Sequence, residues 1–144
     1  MPSFHPSYIE KSNENWACVE NLLKQASRFP NVIASRMYYS MFQLVKCEMV
    51  TNNEDPSLPR DMKMTENAST GVHKLVRDYI NSYLVKKTKD YTLGRKWNEL
   101  YSLRLKADYT PGSVTLQEVW KSFNAWHNTR INWISDLESK GGIS

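Results

Sequence analysis

The chain has 144 residues, of which 40% are hydrophobic and 24% charged, with 5 Gly, 6 Pro and a formal net charge of +4. This length suits one domain with a core that needs no disulfide or metal, so we predict a single domain over residues 1–144. The low Gly and Pro content argues against an all-β chain and favours helices. No stretch approaches the ~18 apolar residues of a membrane span, and the start of the chain lacks the signal-peptide pattern. We therefore expect a cytoplasmic protein that does not bind a membrane.

Hydrophobic residues recur at helical spacing along the first third of the chain. The first two helices are expected over about residues 8–28 and 32–50, with Pro30 between them. The apolar stripe of the second helix is broken by Glu48. Asn, Asp and Pro residues then predict a loop over residues 51–64.

Three more helices are expected after this loop. The third spans about residues 66–84, and the fourth spans about 92–108 and stops at a Thr-Pro-Gly sequence. Thr115 and Glu118 have the spacing of a capping box, which predicts the start of a long fifth helix that runs through Leu137.

The fifth helix carries apolar residues on more than one face, with Trp120, Trp126 and Trp133 spread around its cylinder. Such a helix is either the central helix of the fold or half of an oligomer interface, and a homodimer is the expected assembly. No segment shows the sustained alternation that is typical of a strand. We predict an all-α, up-and-down bundle of five helices with a long C-terminal helix.

Most catalytic signatures are absent from the sequence. The glycines form no phosphate-binding loop, and no serine has the strand-to-helix context of a nucleophile elbow. His5, His73 and His127 lack the spacing of zinc or di-iron ligands, and Cys18 and Cys47 are interpreted as reduced core thiols. We therefore predict neither a metal nor a cofactor.

Basic residues are concentrated in one segment. Residues 86–106 contain seven basic and two acidic side chains, a local charge of +5, so the rest of the chain sums to about −1. Such a segment can attract RNA or an acidic partner, although a solvated helix face is the commoner explanation. The predicted basic patch consists of Lys86, Lys87, Lys89, Arg95, Lys96 and Lys106.

Three motifs, in this order and at this spacing, resemble the HEPN superfamily, in particular its small stand-alone prokaryotic members. The matching residues are Arg36, Tyr38, Tyr39, Met41 and Phe42, then Gly71 and Val72, then Leu103, Arg104, Ala107, Asp108 and Tyr109. The resemblance implies a HEPN-like bundle that usually dimerises and whose active members cut RNA without a metal. It also implies a frequent nucleotidyltransferase partner protein and a role in toxin–antitoxin or phage-defence systems.

The resemblance further implies that active members carry an Arg followed, after four to six intervening residues, by a His. The arginine would hold the scissile phosphate, and the histidine would move the proton of the attacking 2′-hydroxyl. None of the seven arginines in this chain has a histidine in that window, and Gln43 stands where relatives often carry one after Arg36. Because glutamine cannot act as a proton shuttle, we predict that the usual catalytic pair is missing.

Two interpretations of the motif residues remain open. In the structural one, Arg36 lies in a core-facing helix and is paired with a carboxylate, and the Arg104 and Asp108 side chains form an i, i+4 pair at a helix end. In the functional one, a cleft binds RNA or a nucleotide. The residues predicted for this cleft are Arg36, Tyr39, Gln43, Arg104, Asp108 and Tyr109.

Three functions follow from these interpretations. The leading hypothesis is a HEPN-domain protein that acts as an RNA-binding, nucleotide-binding or partner module. The competing hypothesis is a metal-independent endoribonuclease, with Arg36 or Arg104 on the phosphate and Tyr109, Asp108 or His73 in proton transfer. The third is a purely structural helical interaction domain that binds no nucleic acid.

Overall fold

The computed structural model describes residues 6–25, 29–52, 72–110 and 112–140. Its helices are α1 (Pro6–Lys24), α2 (Pro30–Thr51), α3 (Val72–Tyr79), α4 (Val85–Thr88), α5 (Leu93–Tyr109) and α6 (Leu116–Lys140). A π-helical turn, Ile80–Leu84, joins α3 to α4 without a break, so these three elements form one continuous rod. The described chain therefore consists of five helical rods without a strand, which confirms the predicted all-α bundle of five helices.

The third rod runs further than the sequence predicts. It was expected to end near Leu84, but the helical backbone continues to Thr88 and ends at Lys89, whose φ of 59° lies in the left-handed region. The apolar periodicity stops earlier because the last turn is exposed to solvent and needs no buried face. The expected loop after residue 52, the start of the third helix and the end of the first lie outside the described residues.

The centre of the bundle is α2. Thirteen of its 22 residues are buried, and it packs against α1, α5 and α6. By contrast, α6 buries Trp126 and Trp133 but leaves Leu116, Trp120 and Ile131 exposed along its length. The central position predicted as one alternative for the fifth helix therefore belongs to α2, and α6 keeps an apolar face towards solvent.

The structure shows the outcome for two local features of the sequence, the capping box and the cysteines. The backbone N–H of Glu118 donates to Thr115 Oγ1, and the backbone N–H of Thr115 donates to Glu118 Oε1, both at 3.1 Å, which confirms the capping box. Cys47 is buried and Cys18 half-buried, and both are free thiols. None of the described helices combines the length and apolar character that crossing a membrane requires.

Candidate functional site

Arg104 of α5 is the hub of the candidate site. Its side chain is only 11% exposed, and its Nε lies 2.9 Å from Asp108 Oδ2, one turn further along the helix. Its Nη2 donates to the hydroxyl of Tyr39 on α2 at 2.8 Å. The guanidinium also lies over the Tyr38 and Tyr109 rings, at 5.5 and 5.9 Å from their centres. The contacts of Arg104 thus link the end of α5 to the middle of α2.

These contacts keep Arg104 charged. Burial disfavours the guanidinium cation, but the interactions with Tyr39, Asp108 and Tyr38 outweigh it and raise the pKa of Arg104 above its ordinary value. The i, i+4 pair that the structural interpretation predicts is therefore present, and it holds a permanent positive charge close to α2.

His73 of α3 reaches the same cluster from the other side of Tyr38. Its Nδ1 lies 2.6 Å from the Tyr38 hydroxyl, and its ring stacks on Phe42 with centroids 4.7 Å apart. Tyr38 is fully buried, and burial raises the pKa of its phenol, so the hydroxyl keeps its proton. Burial, Arg104 and Lys46 lower the pKa of His73, so the imidazole is neutral at pH 7. We assign the hydrogen bond from the phenol to Nδ1, which leaves the proton of the ring on Nε2.

Tyr38 therefore brings a cation and a neutral imidazole into one cluster. The spacing rule of the sequence could not find this pair, because 31 residues separate His73 from Arg104 and the two lie on different helices. Sequence reasoning named His73 as one of three residues for proton transfer, and it gave no reason to prefer it.

A groove of about 360 Å³ lies between the first half of α2 and the end of α5. Arg36 is exposed at this groove, and its Nη1 donates to Asn15 Oδ1 at 3.2 Å. Asn31 Oδ1 is buried there and has no hydrogen-bond partner within the described part of the chain. The groove is lined by Asn31, Val32, Ser35, Arg36, Tyr39, Ala107 and Asp108.

The position of Arg36 corrects one expectation. Arg36 is exposed, and the partner that the structure gives it is an amide and not a carboxylate, so the predicted core-facing guanidinium is wrong at this position. The reason is helical geometry: Met37 and Tyr38 are fully buried, and the neighbouring residue points about 100° away from Met37, towards the edge of the bundle. Glu48, the acid that breaks the apolar stripe of α2, is buried and accepts a hydrogen bond from Asn52 Nδ2 at 3.1 Å.

The six residues predicted for the cleft are placed as follows. Arg36, Tyr39 and Asp108 line the groove, and Arg104 contacts two of these three directly. Tyr109 is 72% exposed at the end of α5, with one face of its ring towards Arg104.

Gln43, like Arg104 and Tyr109, is not among the lining residues of the groove. It lies one helical turn beyond Tyr39 on α2 and is half-buried. Its Oε1 is buried without a hydrogen-bond partner among the described residues. It therefore stands beside the groove as an acceptor that no described group uses.

The predicted basic patch is divided by contacts within the fold. Lys96 Nζ lies 3.7 Å from Asp90 Oδ2, and Lys106 Nζ lies 2.8 Å from Glu118 Oε2. Lys87 donates to a neighbouring phenol at 3.2 Å. These three cations interact with groups of the protein itself, which weakens the segment as a continuous anion-binding surface. The other members of the patch, all exposed, are Lys86, Lys89 and Arg95.

Comparisons of the chain with protein-family models, with curated proteins and with solved structures give no match. The class of the molecule therefore follows from the fold and the site: an all-α bundle with an arginine–tyrosine cluster beside a groove. In the described ranges, no three His, Cys, Asp or Glu side chains are grouped so that they could hold a metal ion. The groove and the arginine–tyrosine cluster behind it are therefore the candidate functional features of the molecule.

Proposed function

We propose that this protein binds single-stranded RNA or a nucleotide in the groove between α2 and α5, as a HEPN-type module that lacks the usual Arg/His pair. The observation that carries the proposal is the position of Arg36 at the groove, next to Tyr39 and in front of the charged Arg104. Folding joins two motifs from opposite halves of the chain at this point. Those are the motifs on which the resemblance to the HEPN superfamily rests.

The groove and the exposed end of α5 together offer two contacts that suit single-stranded RNA. Arg36 is exposed and presents a guanidinium to a phosphate, for which paired N–H donors are well suited. Tyr109 exposes a flat ring, and the guanidinium of Arg104 lies over that ring. Bases stack on such aromatic surfaces without sequence preference, so we expect unpaired RNA to be preferred over a duplex.

The side chains of the groove also favour binding of RNA over its cleavage. No histidine is among its described lining residues, and Gln43 beside it cannot carry a proton at neutral pH. Tyrosine is a poor base at its ordinary pKa. Metal-independent cutting would need a proton acceptor at the 2′-hydroxyl, and the carboxylate of the lining, Asp108, is already paired with Arg104 at 2.9 Å.

The proposal extends to the partners of the protein. The apolar residues that α6 leaves exposed, Leu116, Trp120 and Ile131, lie one and three turns apart, so they share one face of the helix. A second copy of the chain is the occupant that we propose for this face, and the molar mass in solution tests it. A nucleotidyltransferase partner and a role in toxin–antitoxin or phage defence rest on the HEPN resemblance alone.

RNA binding is tested with a fluorescently labelled single strand and titration at several salt concentrations. We expect saturable binding that weakens with salt, and a loss of about tenfold in affinity for Arg36→Gln, because one charge-assisted phosphate contact is removed. Lys24→Gln is the matched control: it also removes one exposed positive charge, at the end of α1 and outside the groove.

The two variants separate a groove from general charge attraction. Equal losses for Arg36→Gln and Lys24→Gln would mean that net charge alone attracts the RNA, and the groove would be rejected as the site. No binding by the wild-type protein would reject the proposed function and favour a purely structural interaction domain.

One observation favours a second function, a metal-independent endoribonuclease. Arg104 and His73 both contact Tyr38, so a phosphate-holding cation and a neutral imidazole lie in the same cluster. The lowered pKa of His73 leaves its ring neutral at pH 7. In the tautomer assigned above, Nδ1 accepts from Tyr38 and Nε2 carries the proton, so general-base action would need the opposite tautomer, with Nε2 free to accept. Incubation with labelled RNA and a chelator tests this function. Cleavage that is lost in His73→Gln would establish it, whereas intact RNA in the wild-type reaction would exclude it under those conditions.

A further inference from the structure

A second pocket, of about 250 Å³, lies between α3 and α5 and shares no lining residue with the groove. On α3, a histidine and an arginine one turn apart face it together with the lysine between them. On α5, an amide and a phenol three residues apart complete it. Its lining residues are His73, Lys74, Arg77, Asn98 and Tyr101.

The lining of this second pocket is rich in hydrogen-bond donors and lacks negative charge. All five side chains carry N–H or O–H donors, and no carboxylate is among them. Asp78 lies nearby, but its oxygens are 4.0 Å from both Lys74 Nζ and Arg77 Nε, the outer limit of an ion pair. The two cations are 73% and 49% exposed, so they can turn towards a ligand without breaking a close contact. An anion entering this pocket would meet donors from both helices.

His73 is the fixed part of the pocket. The hydrogen bond of its Nδ1 to Tyr38 and the stacking on Phe42 hold the ring in place. With the phenol donating to Nδ1, the ring nitrogen that remains for a ligand is Nε2, which carries a proton and donates. A preorganised donor of this kind costs little entropy when a ligand binds.

The surroundings of His73 also favour a negative ligand. Burial is the main cause that lowers the pKa of His73, and Arg104 and Lys46 lower it further. Two cations on two further helices therefore already raise the electrostatic potential at this ring. An anion that accepts from Nε2–H would be attracted by this positive potential.

We propose that the pocket lined by His73, Arg77 and Tyr101 binds the phosphoryl group of a phosphomonoester. The donors match the oxygens of a terminal phosphate, which accepts more hydrogen bonds than the bridging phosphate of an RNA backbone. The volume is below the ~300–1,000 Å³ of pockets that enclose a whole drug-sized ligand, so the phosphoryl group is enclosed and the rest of the molecule extends outward. The inference goes beyond the proposed RNA groove and does not depend on it.

The test is an NMR titration of the His73 ring signals in the full chain with inorganic phosphate, AMP and adenosine. We expect phosphate and AMP to shift the signals in a saturable way, and adenosine to leave them unchanged. Arg77→Gln should weaken AMP binding about tenfold, because one charge-assisted hydrogen bond to the phosphoryl group is lost. Arg95→Gln is the matched control, since Arg95 is also an exposed arginine but does not line the pocket.

Two further arms complete the design. An RNA with a 5′-phosphate that binds more tightly than AMP identifies an RNA end as the natural source of the phosphoryl group, and equal affinities identify a small phosphomonoester. The His73 signals report on the pocket, and the RNA titration of Arg36→Gln reports on the groove, so failure of the groove and failure of the pocket are distinguishable. Equal losses in Arg77→Gln and Arg95→Gln, or no saturable shift with phosphate and AMP, would overturn the proposal.

Discussion

Among the arginines that the structure describes, Arg130 of α6 is the most buried, with 8% of its surface exposed. Its Nη2 donates to Asn13 Oδ1, its Nε donates to Ser40 Oγ at 3.4 Å, and its guanidinium lies 5.3 Å from the centre of a Trp16 ring. Burial lowers its pKa to about 10, and the Glu20 carboxylate opposes this shift only in part. A change at this position therefore tests how the bundle tolerates a buried cation.

The opposing contributions at Arg130 are of similar size. The lowering of the Arg130 pKa from its ordinary value to about 10 corresponds to about 3 kcal/mol against the charged form. The contact with the Trp16 ring and the two hydrogen bonds each stabilise the charged form of Arg130 by about 1 kcal/mol. Arg130→Met removes the charge and keeps the apolar stem, so its free energy of unfolding should stay within about 1 kcal/mol of the wild-type value or exceed it. Arg130→Ala also leaves a cavity and should cost about 2 kcal/mol or more.

Urea denaturation followed by circular dichroism measures these free energies, and pH provides an internal check. With a pKa of about 10, Arg130 should release its proton at a lower pH in the folded protein than in the unfolded chain. Because the unfolded state then binds more protons, the wild-type protein should gain stability relative to Arg130→Met as the pH rises above about 10. A loss of about 3 kcal/mol in Arg130→Met at pH 7, without this pH-dependent difference, would refute the reasoning.

Two further outcomes are expected from single substitutions. Thr115→Ala should lower the free energy of unfolding by about 1 kcal/mol in urea denaturation, because the backbone N–H of Glu118 loses its capping hydroxyl. Thr115→Ser keeps a hydroxyl and should retain most of the wild-type stability, and equal losses in the two variants would argue against the cap. Arg104→Gln should raise the pKa of His73 in an NMR titration, since burial and then this guanidinium lower it. His73 favours folding above its ordinary pKa of 6.5, and this contribution is lost as the pH falls through the lower folded-state value, so the variant should lose less stability on acidification. An unchanged pKa would show that the charge of Arg104 is screened from the ring.

The helices could be predicted from the sequence because their signals are local. Apolar spacing, Pro30 and the Thr115 cap each act within one or two turns, and they placed four of the five rods to within a few residues where the chain is described. The end of the third rod was missed because its last turn has no apolar face and is closed by the left-handed Lys89. A polar helical turn leaves little trace in a hydrophobic pattern.

The identity of the buried arginine could not be predicted in the same way. One of the two sequence interpretations placed Arg36 in the core beside a carboxylate, whereas the structure exposes Arg36 and buries the side chains of Arg104 and Arg130. Periodicity shows which face of a helix is apolar, but it does not show which partner groups another helix presents. Arg130 is tolerated because Trp16 and a buried serine, Ser40, lie opposite it, and these belong to α1 and α2.

The groove was predicted in outline, and the cluster behind it was not. Arg36, Tyr39 and Asp108 were expected to meet because the resemblance joined their motifs, and the structure places them along one groove. The contact of His73 with Tyr38 depends on the packing of α3 against α2, across a loop outside the described residues. A rule about intervening residues cannot detect a pair that only tertiary packing brings together.

This packing has a chemical consequence for both proposed sites. Arg104 touches Tyr39 and Asp108 in the groove lining, and it lies over the ring of the Tyr38 phenol that holds His73 in the second pocket. The positive charge of Arg104 therefore lies close to both proposed sites. It would support a phosphate in the proposed groove, and together with burial, the larger cause, it lowers the pKa of the imidazole in the pocket. A chain without the Arg/His spacing still brings a cation and an imidazole together, because Arg104 and His73 both contact the buried Tyr38 between them.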